Sequence, residues 1–491
     1  MAHPVMPEPE MPKENLVFLR SPDGNFSLPE IAGWADNIAI KLREYGIKPG
    51  DRIAITAPNS AQYISLLLAI WQVGAIATPI NTRFSAEQIL DAITAVGATI
   101  FLHSTTTVNS NIPGCMSLNL AEFPGQPSIV DSQKFCFRDW LAKPENHAKL
   151  ATIIFTSGSS GKPRAAVHSF GNHYFSALGA NQNIPFGAGD DCWLLALPLY
   201  HVGGLAIVFR AIAGGGAIAI PAPETSLAAA IRSLGVTHIS LVATQLFRLL
   251  QTDSNIPLLQ KMTAILLGGS AIPKQLIAES IRLKLPIHTS YGSTEMSSQI
   301  TATPQNATAA ELSASGKLLN FRELRIEADG EICVGGKTLF RGYWSNGSRQ
   351  QPFTADGFFR TGDTGKIDGN GFLHVTGRKD NMFISGGENI QPETIEAALN
   401  ECPGVRQSLV VPVPDNEFGQ RPVAFVETDT PLNEVKILDF LAKKLARFEL
   451  PLHIFPWPQL PDSGGIKLSR RFFETLAIEK CDKATNISGK I

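Results

Sequence analysis

Five apolar runs in this chain are continuous rather than alternating: RIAITA (52–57), TIIF (152–155), WLLALPL (193–199), HISLVA (238–243) and AILLGG (264–269). Successive side chains of a strand point to opposite faces, so a strand that is apolar throughout is buried on both. Such strands, separated by stretches of helical spacing, predict an α/β architecture of layered sheets. The texture changes near Glu323, where short strands with turn signals begin; Asp329-Gly330 in ELRIEADGEICVGG reads as a hairpin turn. It changes again after TGRKDN (376–381). There QPETIEAALN places Ile395, Ala398 and Leu399 at helical spacing, with Pro392 in the first turn. NEVKILDFLAKKLARF puts Val435, Leu438, Leu441 and Leu445 on one face. Asn433 suits its N-cap, and Lys443, Lys444 and Arg447 suit its C-terminal end. Between these helices, RQSLVVPV and RPVAFVET read as strands. The expected organisation is a large layered N-terminal domain of sheets and helices, 1–379, and a small α+β C-terminal domain, 380–491.

With 491 residues, 44% of them hydrophobic and 18% charged, the chain holds material for two or three globular domains. A net charge of −2 gives no case for nucleic acid or an anionic membrane as main partner. The cysteines at 115, 136, 192, 333, 402 and 481 form no C-x-x-C pair and have no His at metal-ligand spacing. They read as reduced thiols of a cytosolic protein without structural zinc. The opening MAHPVMPEPEMPKEN lacks the apolar core of a signal peptide. The most membrane-like stretch, GLAIVFRAIAGGGAIAIPAP (204–223), is interrupted by Arg210 and three glycines. A buried helix followed by a strand is expected there, and no membrane span. The cytoplasm is the expected location, and a monomer or a homo-oligomer both fit.

Chemistry concentrates in six stretches. In IIFTSGSSGKPR (153–164) an apolar run meets a burst of glycine and hydroxyl residues. It is not a P-loop: only two residues separate Gly158 from Gly161, and Pro163 stands where a hydroxyl is required. Its small residues still let the backbone wrap closely on an anion, and Thr156, Ser157, Ser159, Ser160 and Lys162 can all donate hydrogen bonds. LPLYHVGG (197–204) carries His201 before a glycine pair. LLGGSAIP (266–273) ends a strand in glycine. TSYGSTEMSSQ (289–299), FRTGDTGKIDGNGFLHVTGRKDN (359–381) and DSGGIKLSRR (462–471) complete the set. Each has an ordinary structural reading when taken alone: a surface loop, a packed core His, a strand end, a solvated carboxylate. No convincing Ser-His-Asp or Cys-His arrangement is present.

Taken in order, these motifs resemble the adenylate-forming superfamily of acyl-CoA synthetases, adenylation domains and luciferases, over nearly the whole chain. The resemblance implies ATP and Mg²⁺, with coenzyme A as co-substrate, and a mobile small domain. It implies that residues Thr156, Ser157, Gly158, Ser159, Ser160, Gly161 and Lys162 hold the outer phosphates of ATP. Gly269 and Ser270 would back the adenine, Tyr291 with Gly292 would stack on it, and Thr294 would touch the α-phosphate. Glu295 would ligate Mg²⁺, which is normally held by one or two carboxylates plus phosphates. Asp363 would grip the ribose hydroxyls, Arg378 would contact ribose and phosphate, and Asp380 would be the hinge. His201 would gate the thiol tunnel, and Lys467 would stabilise charge during in-line attack on the α-phosphate. Two details depart from the common pattern: Arg164-Ala165 replaces Lys-Gly, and Ile466 separates Gly465 from Lys467. The implied reaction is adenylation of a small-molecule carboxylic acid followed by attack of a thiol. No protein nucleophile is needed, because the thiol supplies one.

KPRAAVHS, YGSTEMSSQ and SGGENIQPETIE with the terminal GGIKLSRR resemble the branch of that family that activates o-succinylbenzoate in menaquinone biosynthesis. That pattern also accommodates Ile466. A physical argument points the same way. Arg210 lies in an apolar run, and a buried guanidinium wants an anion. The second carboxylate of a dicarboxylate acid would supply it, with Ser298 and Gln299 adding polar contacts. Otherwise Arg210 sits at an exposed helix end or pairs with a protein carboxylate. The competing readings are a ligase for another acid, an enzyme loading a carrier protein, a luciferase-like oxygenase and a silent acyl-adenylate sensor. Intact Lys467, Glu295 and Asp363 argue against the last.

Overall fold

The computed structural model describes residues 17–104, 112, 114–123, 136–156, 163–269, 272–345, 347–385, 388–415, 417–459 and 470–488. Helix Ala61–Gln72 is buried on almost every side, with every residue from Tyr63 to Trp71 inside. A helix that is apolar all round has to be covered all round, and two sheets do this. Its Leu66 and Trp71 share one apolar cluster with Ile53 and Ile55 of one sheet, Trp193 and Ile218 of the other, and Phe209 of helix Val202–Gly214. The first sheet has eight strands and runs Arg52–Thr56 between parallel neighbours Ile76–Pro79 and Ile100–His103. The second has nine, with Cys192–Leu194, His238–Leu241, Ala264–Leu267 and Ile287–Ser293 as adjacent parallel strands. The layered α/β expectation is met, and the continuous apolar runs are its doubly covered strands.

Two readings along this part deserve comparison. The stretch 204–223 folds as expected, into helix Val202–Gly214 and strand Ala217–Ala219. WLLALPL forms a strand only over Cys192–Leu194. Beyond it the Asn59 amide donates to the carbonyls of Leu195 (3.3 Å) and Leu197 (2.9 Å), and its oxygen accepts from the Leu199 N–H (2.9 Å). One side chain thus replaces a neighbouring strand and frees the backbone to bend toward His201. Among the described residues no helix is long and apolar enough to cross a membrane.

A four-stranded antiparallel sheet follows, in the order Arg322–Ile326, Glu331–Gly336, Phe359–Ile367, Leu373–Arg378. Its first hairpin turns at Asp329-Gly330, where Gly330 takes the left-handed φ of 78° that a glycine tolerates. After Lys379–Asn381 come the two-stranded Phe383–Ser385/Glu388–Ile390 ribbon and helix Pro392–Asn400. Strands Val405–Asp415 and Gly419–Thr428 pair antiparallel, and Ile454–Pro456 joins the second in parallel. The Asn433 side chain caps helix Glu434–Leu441 as expected, accepting from the Lys436 N–H. Of the expected apolar face, Leu441 is buried and Leu438 and Leu445 pack on the same cluster, joined by Ile437, whereas Val435 is 68% exposed. The helix itself ends at Leu441. Helix Arg470–Ser488 was not foreseen; it packs Phe473 and Ala477 against Val411, Val423 and Phe425 of the small sheet.

The apolar clusters after Asn381 contain only residues from Phe383 onward. A core that shares no side chain with its neighbour unfolds as a unit of its own. Phe425 is fully buried in it, so Phe425→Ala is expected to cost about 3–5 kcal/mol. Hydrogen exchange should then show lost protection in Val405–Asp415 and Gly419–Thr428, with Ala264–Leu267 unchanged.

Candidate active site

Strands Ile287–Ser293 and Ser298–Ala302 form a hairpin whose connection, Thr294–Met296 plus Ser297, carries two expected site residues. The turn is tight and strained. Ser297 and Ser298 have φ of 56° and 113°, and a Cβ on Gly292 would overlap the Ser298 carbonyl oxygen. Four surrounding elements hold it. His168 Nε2 donates to the Thr294 carbonyl (2.7 Å), the Phe340 N–H to Glu295 O (2.7 Å), Ser176 Oγ to Ser297 O (2.7 Å) and Arg322 Nε to Gln299 O (2.8 Å). A carbonyl only accepts, so His168 carries its proton on Nε2. Burial pushes its pKa down to about 4 and keeps it neutral.

Beside this turn, Leu267 pairs in parallel with Thr289, which sets Gly268 and Gly269 next to Ser290 and Tyr291. Crevices at the carboxyl ends of neighbouring parallel strands are where α/β sheets take ligands. Gly269 has φ 82°, and a Cβ on Gly268 would come within 2.7 Å of Ser290 Oγ, so backbone lines the crevice. Across it, Tyr291 donates its hydroxyl to Asp363 Oδ2 (2.6 Å) while Arg378 Nη1 donates to Asp363 Oδ1 (2.8 Å). Arg378 Nη2 reaches Asp380 Oδ2 at 3.1 Å. Asp363 and Arg378 are directly paired residues of adjacent antiparallel strands. Burial and then Asp363 hold the Tyr291 hydroxyl well above its usual pKa, so it stays a donor.

The Gly/Ser-rich loop joins two antiparallel strands, Leu150–Thr156 and Arg164–Ser169, with Thr156 opposite Arg164. The element after it is therefore a strand and not the helix that follows a P-loop. Ser157, Gly158, Ser159, Ser160, Gly161, Lys162, Ser270 and Lys467 lie outside the described residues. At the loop entrance, the buried Thr156 Oγ1 has no hydrogen-bond partner among the described residues. At its exit, the Arg164 guanidinium lies 4.3 Å from the Tyr343 ring centroid and 4.0 Å from Glu295 Oε1. Tyr343 donates its hydroxyl to Glu295 Oε1 at 2.5 Å. Glu295 is 8% exposed, and its other oxygen has no hydrogen bond among the described residues. A hard carboxylate oxygen with spare lone pairs suits Mg²⁺, which takes its remaining ligands from phosphates and water.

Arg210 is 3% exposed and meets no carboxylate within ion-pair distance among the described residues, so both structural alternatives for it are overturned. It donates to Asn181 Oδ1 (2.8 Å), Ile184 O (2.9 Å), Ala180 O (3.4 Å) and Gln299 Oε1 (3.4 Å), and stacks 4.0 Å over the Trp193 ring. Gln299 Nε2 is buried without a partner among the described residues. Arg322 is a second buried guanidinium, bonded to the carbonyls of Gln299, Asn320, Ser176 and Phe175 and to Ser176 Oγ. Burial lowers the pKa of both arginines to about 9, so both remain cations at neutral pH. Around them burial depresses His238 and His288 as well.

Tyr291, Asp363, Arg378 and Asp380 are thus brought into one chain of contacts, and Arg210 into another with Gln299, next to the half-buried Ser298. His201 is the N-cap residue of helix Val202–Gly214; burial and Arg83 lower its pKa, and no side-chain hydrogen bond joins it to either group among the described residues. His168, Ser176, Arg322 and Tyr343 were not foreseen. The bonds by which they hold the turn reach 23 to 126 residues along the sequence, and no local motif announces them.

This crevice is that of a nucleotide-dependent enzyme, and the comparisons agree. The AMP-binding enzyme family matches residues 10–344 and the AMP-binding enzyme C-terminal domain matches 394–465. The chain belongs to the AMP-binding, adenylate-forming enzyme family. Within it, the chain is 34% identical over 445 residues to the 2-succinylbenzoate–CoA ligase of Bacillus cytotoxicus, covering 88% of this chain and 90% of that one. Among solved structures, an Escherichia coli MenE variant with bound OSB-AMS superposes with a TM-score of 0.80 at 31% identity, covering 95% and 96% of the two chains. The Bacillus subtilis o-succinylbenzoate coenzyme A synthetase in complex with ATP and magnesium gives 0.81 at 28% identity, covering 93% and 96%.

Two outcomes follow from this geometry. Gly292→Ala forces Ser298 away and is expected to slow adenylation roughly 100-fold, the usual effect of displacing reacting groups by an ångström. Pyrophosphate exchange measures it, and an unchanged circular dichroism spectrum separates it from misfolding. The second concerns pH. His168, His173, His201, His238 and His288 all have depressed pKa values, chiefly through burial. The unfolded chain therefore binds more protons than the native one below pH 6.5, and stability falls as pH drops from 6.5 toward about 4. The urea midpoint should be lower at pH 5.5 than at 7.5, and a flat profile would mean that these rings are reached by water.

Proposed function

We propose that this chain is an acid–thiol ligase that adenylates o-succinylbenzoate with Mg-ATP and passes the acyl group to coenzyme A, releasing AMP and pyrophosphate, as a step of menaquinone biosynthesis in the cytoplasm. The observation that carries the choice of acid is Arg210, a buried cation satisfied by neutral acceptors and facing Gln299. A cation arranged in this way leaves its charge for a ligand, and the carboxylate of the acid that is not being activated provides the matching one. Ser298 and the unpartnered Gln299 Nε2 add donors at the same place.

At the other end of the acid, the carboxylate to be activated attacks the α-phosphorus in line, and pyrophosphate leaves with the electron pair of the broken P–O bond. Thr156, Ser157, Gly158, Ser159, Ser160, Gly161 and Lys162 hold the departing phosphates. Asp363, oriented by Tyr291 and Arg378, accepts from the ribose hydroxyls. Gly269, Ser270, Tyr291 and Gly292 line the adenine. Thr294 donates to the α-phosphate and Lys467 approaches its oxygens. Glu295 would hold a magnesium ion, which would supply positive charge against the phosphates when bound. The small unit, 380–491, then turns at Asp380, withdraws Lys467 and admits the thiol past His201. The thiolate attacks the acyl carbonyl, and AMP leaves.

The test is acid-dependent exchange of pyrophosphate into ATP, with o-succinylbenzoate compared against benzoate, malonate and a medium-chain fatty acid. Exchange is expected with o-succinylbenzoate. In Arg210→Ala the KM for that acid should rise on the order of 30-fold or more, the effect of losing one partner of a buried charge pair. Exchange with a different acid alone would keep adenylation and discard the substrate.

A further inference from the structure

The joint between the two units is a single residue wide. On one side, the Lys379 ammonium is bound to Asp329 Oδ2 (2.8 Å) and Glu331 Oε2 (3.0 Å) of the four-stranded sheet. On the other, the Asn381 amide donates to Glu393 Oε1 (2.6 Å) on helix Pro392–Asn400 of the small unit. Only Asp380 lies between them, exposed, with its carboxylate on Arg378. Glu331 is the better buried end of the first anchor, its side chain 6% exposed. It accepts from Lys379, from Arg360 and, through Oε1, from the Gly362 N–H at 3.0 Å. Gly362 immediately precedes Asp363. Arg360 also reaches Asp329 (3.1 Å), so two acids and two bases close a neutral network. Burial alone would raise the Glu331 carboxyl, but Lys379, Arg360 and the Gly362 N–H hold it below the usual range.

We propose that Glu331 and Lys379 are positioning residues that form the fixed post of this joint: they pin residue 379 to the large unit, confine the turn to Asp380, and tie that post to the backbone presenting Asp363. The inference rests on the domain turn described above. A pivot set one residue earlier would swing the small unit on a different arc, because the next backbone axis points in a different direction. The post therefore serves the step that needs the second docking position, thioester formation, more than the adenylation that precedes the turn. Gln391 Nε2, which crosses the joint to the Arg378 carbonyl at 3.0 Å, has to let go in that turn, whereas the Lys379 contacts stay.

The experiment measures the two half-reactions separately in the full-length enzyme: pyrophosphate exchange with o-succinylbenzoate, and thioester release when coenzyme A is added to preformed acyl-adenylate. Lys379→Met is expected to keep the parent's exchange and to lose roughly tenfold in thioester release, a size typical of changes along a coupling network. Lys379→Arg should restore the second step. Glu331→Gln, which keeps the Gly362 acceptor but removes the charge, should behave like Lys379→Met, and the double variant should be no worse than either single. Asp380→Pro, which fixes φ near −65°, is the control for the turn itself and should block thioester release. If it does so while Lys379→Met is normal in both half-reactions, or impaired equally in both, the post is overturned and the turn stands. If Asp380→Pro releases thioester normally, the turn and the post fall together.

Discussion

The closure of Gly292 onto the Ser298 carbonyl is the constraint on which the rest of the site depends. With no Cβ at 292 the two strands meet so closely that the backbone between them has to pass through left-handed conformations at Ser297 and Ser298. Two such residues cost about 1–3 kcal/mol each. Against that stand four hydrogen bonds, from His168, Phe340, Ser176 and Arg322, worth about 1 kcal/mol each net. The two sums are of the same size, so the turn persists only with its anchors in place. The anchors come from four separate segments of the chain, and through them the position of Thr294 and Glu295 depends on how those segments pack.

Arg322 shows how one side chain can serve two ends. Its Nε fixes the Gln299 carbonyl, and the Gln299 side chain faces Arg210. Two guanidiniums therefore flank one residue, with neither offset by a carboxylate within ion-pair distance among the described residues. Burial lowers the pKa of both, and the charge of Arg322 lowers that of Arg210 further. Fixed carbonyl dipoles make the arrangement tolerable, because each N–H is aimed at oxygen without cancelling the charge. The neighbouring histidines do not add to the repulsion, since burial keeps them neutral. The result is a buried positive charge stacked on Trp193, at which an anion gains more than it would at an exposed arginine.

The layered fold was legible because its cause is local: Ile53–Ile55 and Ile265–Leu267 are apolar at every position, and nothing but a doubly covered strand accounts for that. The segment after Leu194 was misread for the opposite reason. Its residues are as apolar as those of the strand, but Asn59, more than 130 positions away, supplies the hydrogen bonds that a neighbouring strand would have given. Val435 fails similarly. Helical spacing alone marks it as core, yet its companions Leu438, Leu441 and Leu445 reach the apolar cluster while Val435 stays 68% exposed. In the site, Tyr291, Asp363 and Arg378 could be placed from their motifs, whereas their mutual bonds could not. The hydroxyl of Tyr291 orienting Asp363 belongs to the pairing of different sheets, and no spacing along the chain encodes it.

The character of the boundary after Lys379 explains why a two-step reaction can share one crevice. No described apolar cluster spans it. The contacts that do cross it are polar: Lys274 with Glu401, Gln275 with the Asn400 carbonyl, and Gln391 with the Arg378 carbonyl. Lys274 and Glu401 are exposed enough for water to replace either partner, and exposed ion pairs contribute only about 0–1 kcal/mol. An apolar interface would have to expose hydrocarbon before the units could move, at about 25 cal/mol per Å². A polar one exchanges protein hydrogen bonds for water. Relative motion of the two units is therefore inexpensive, while the charge network at Asp329, Glu331, Arg360 and Lys379 keeps its starting point fixed. Cheap motion between two units is what a two-step reaction sharing one crevice requires.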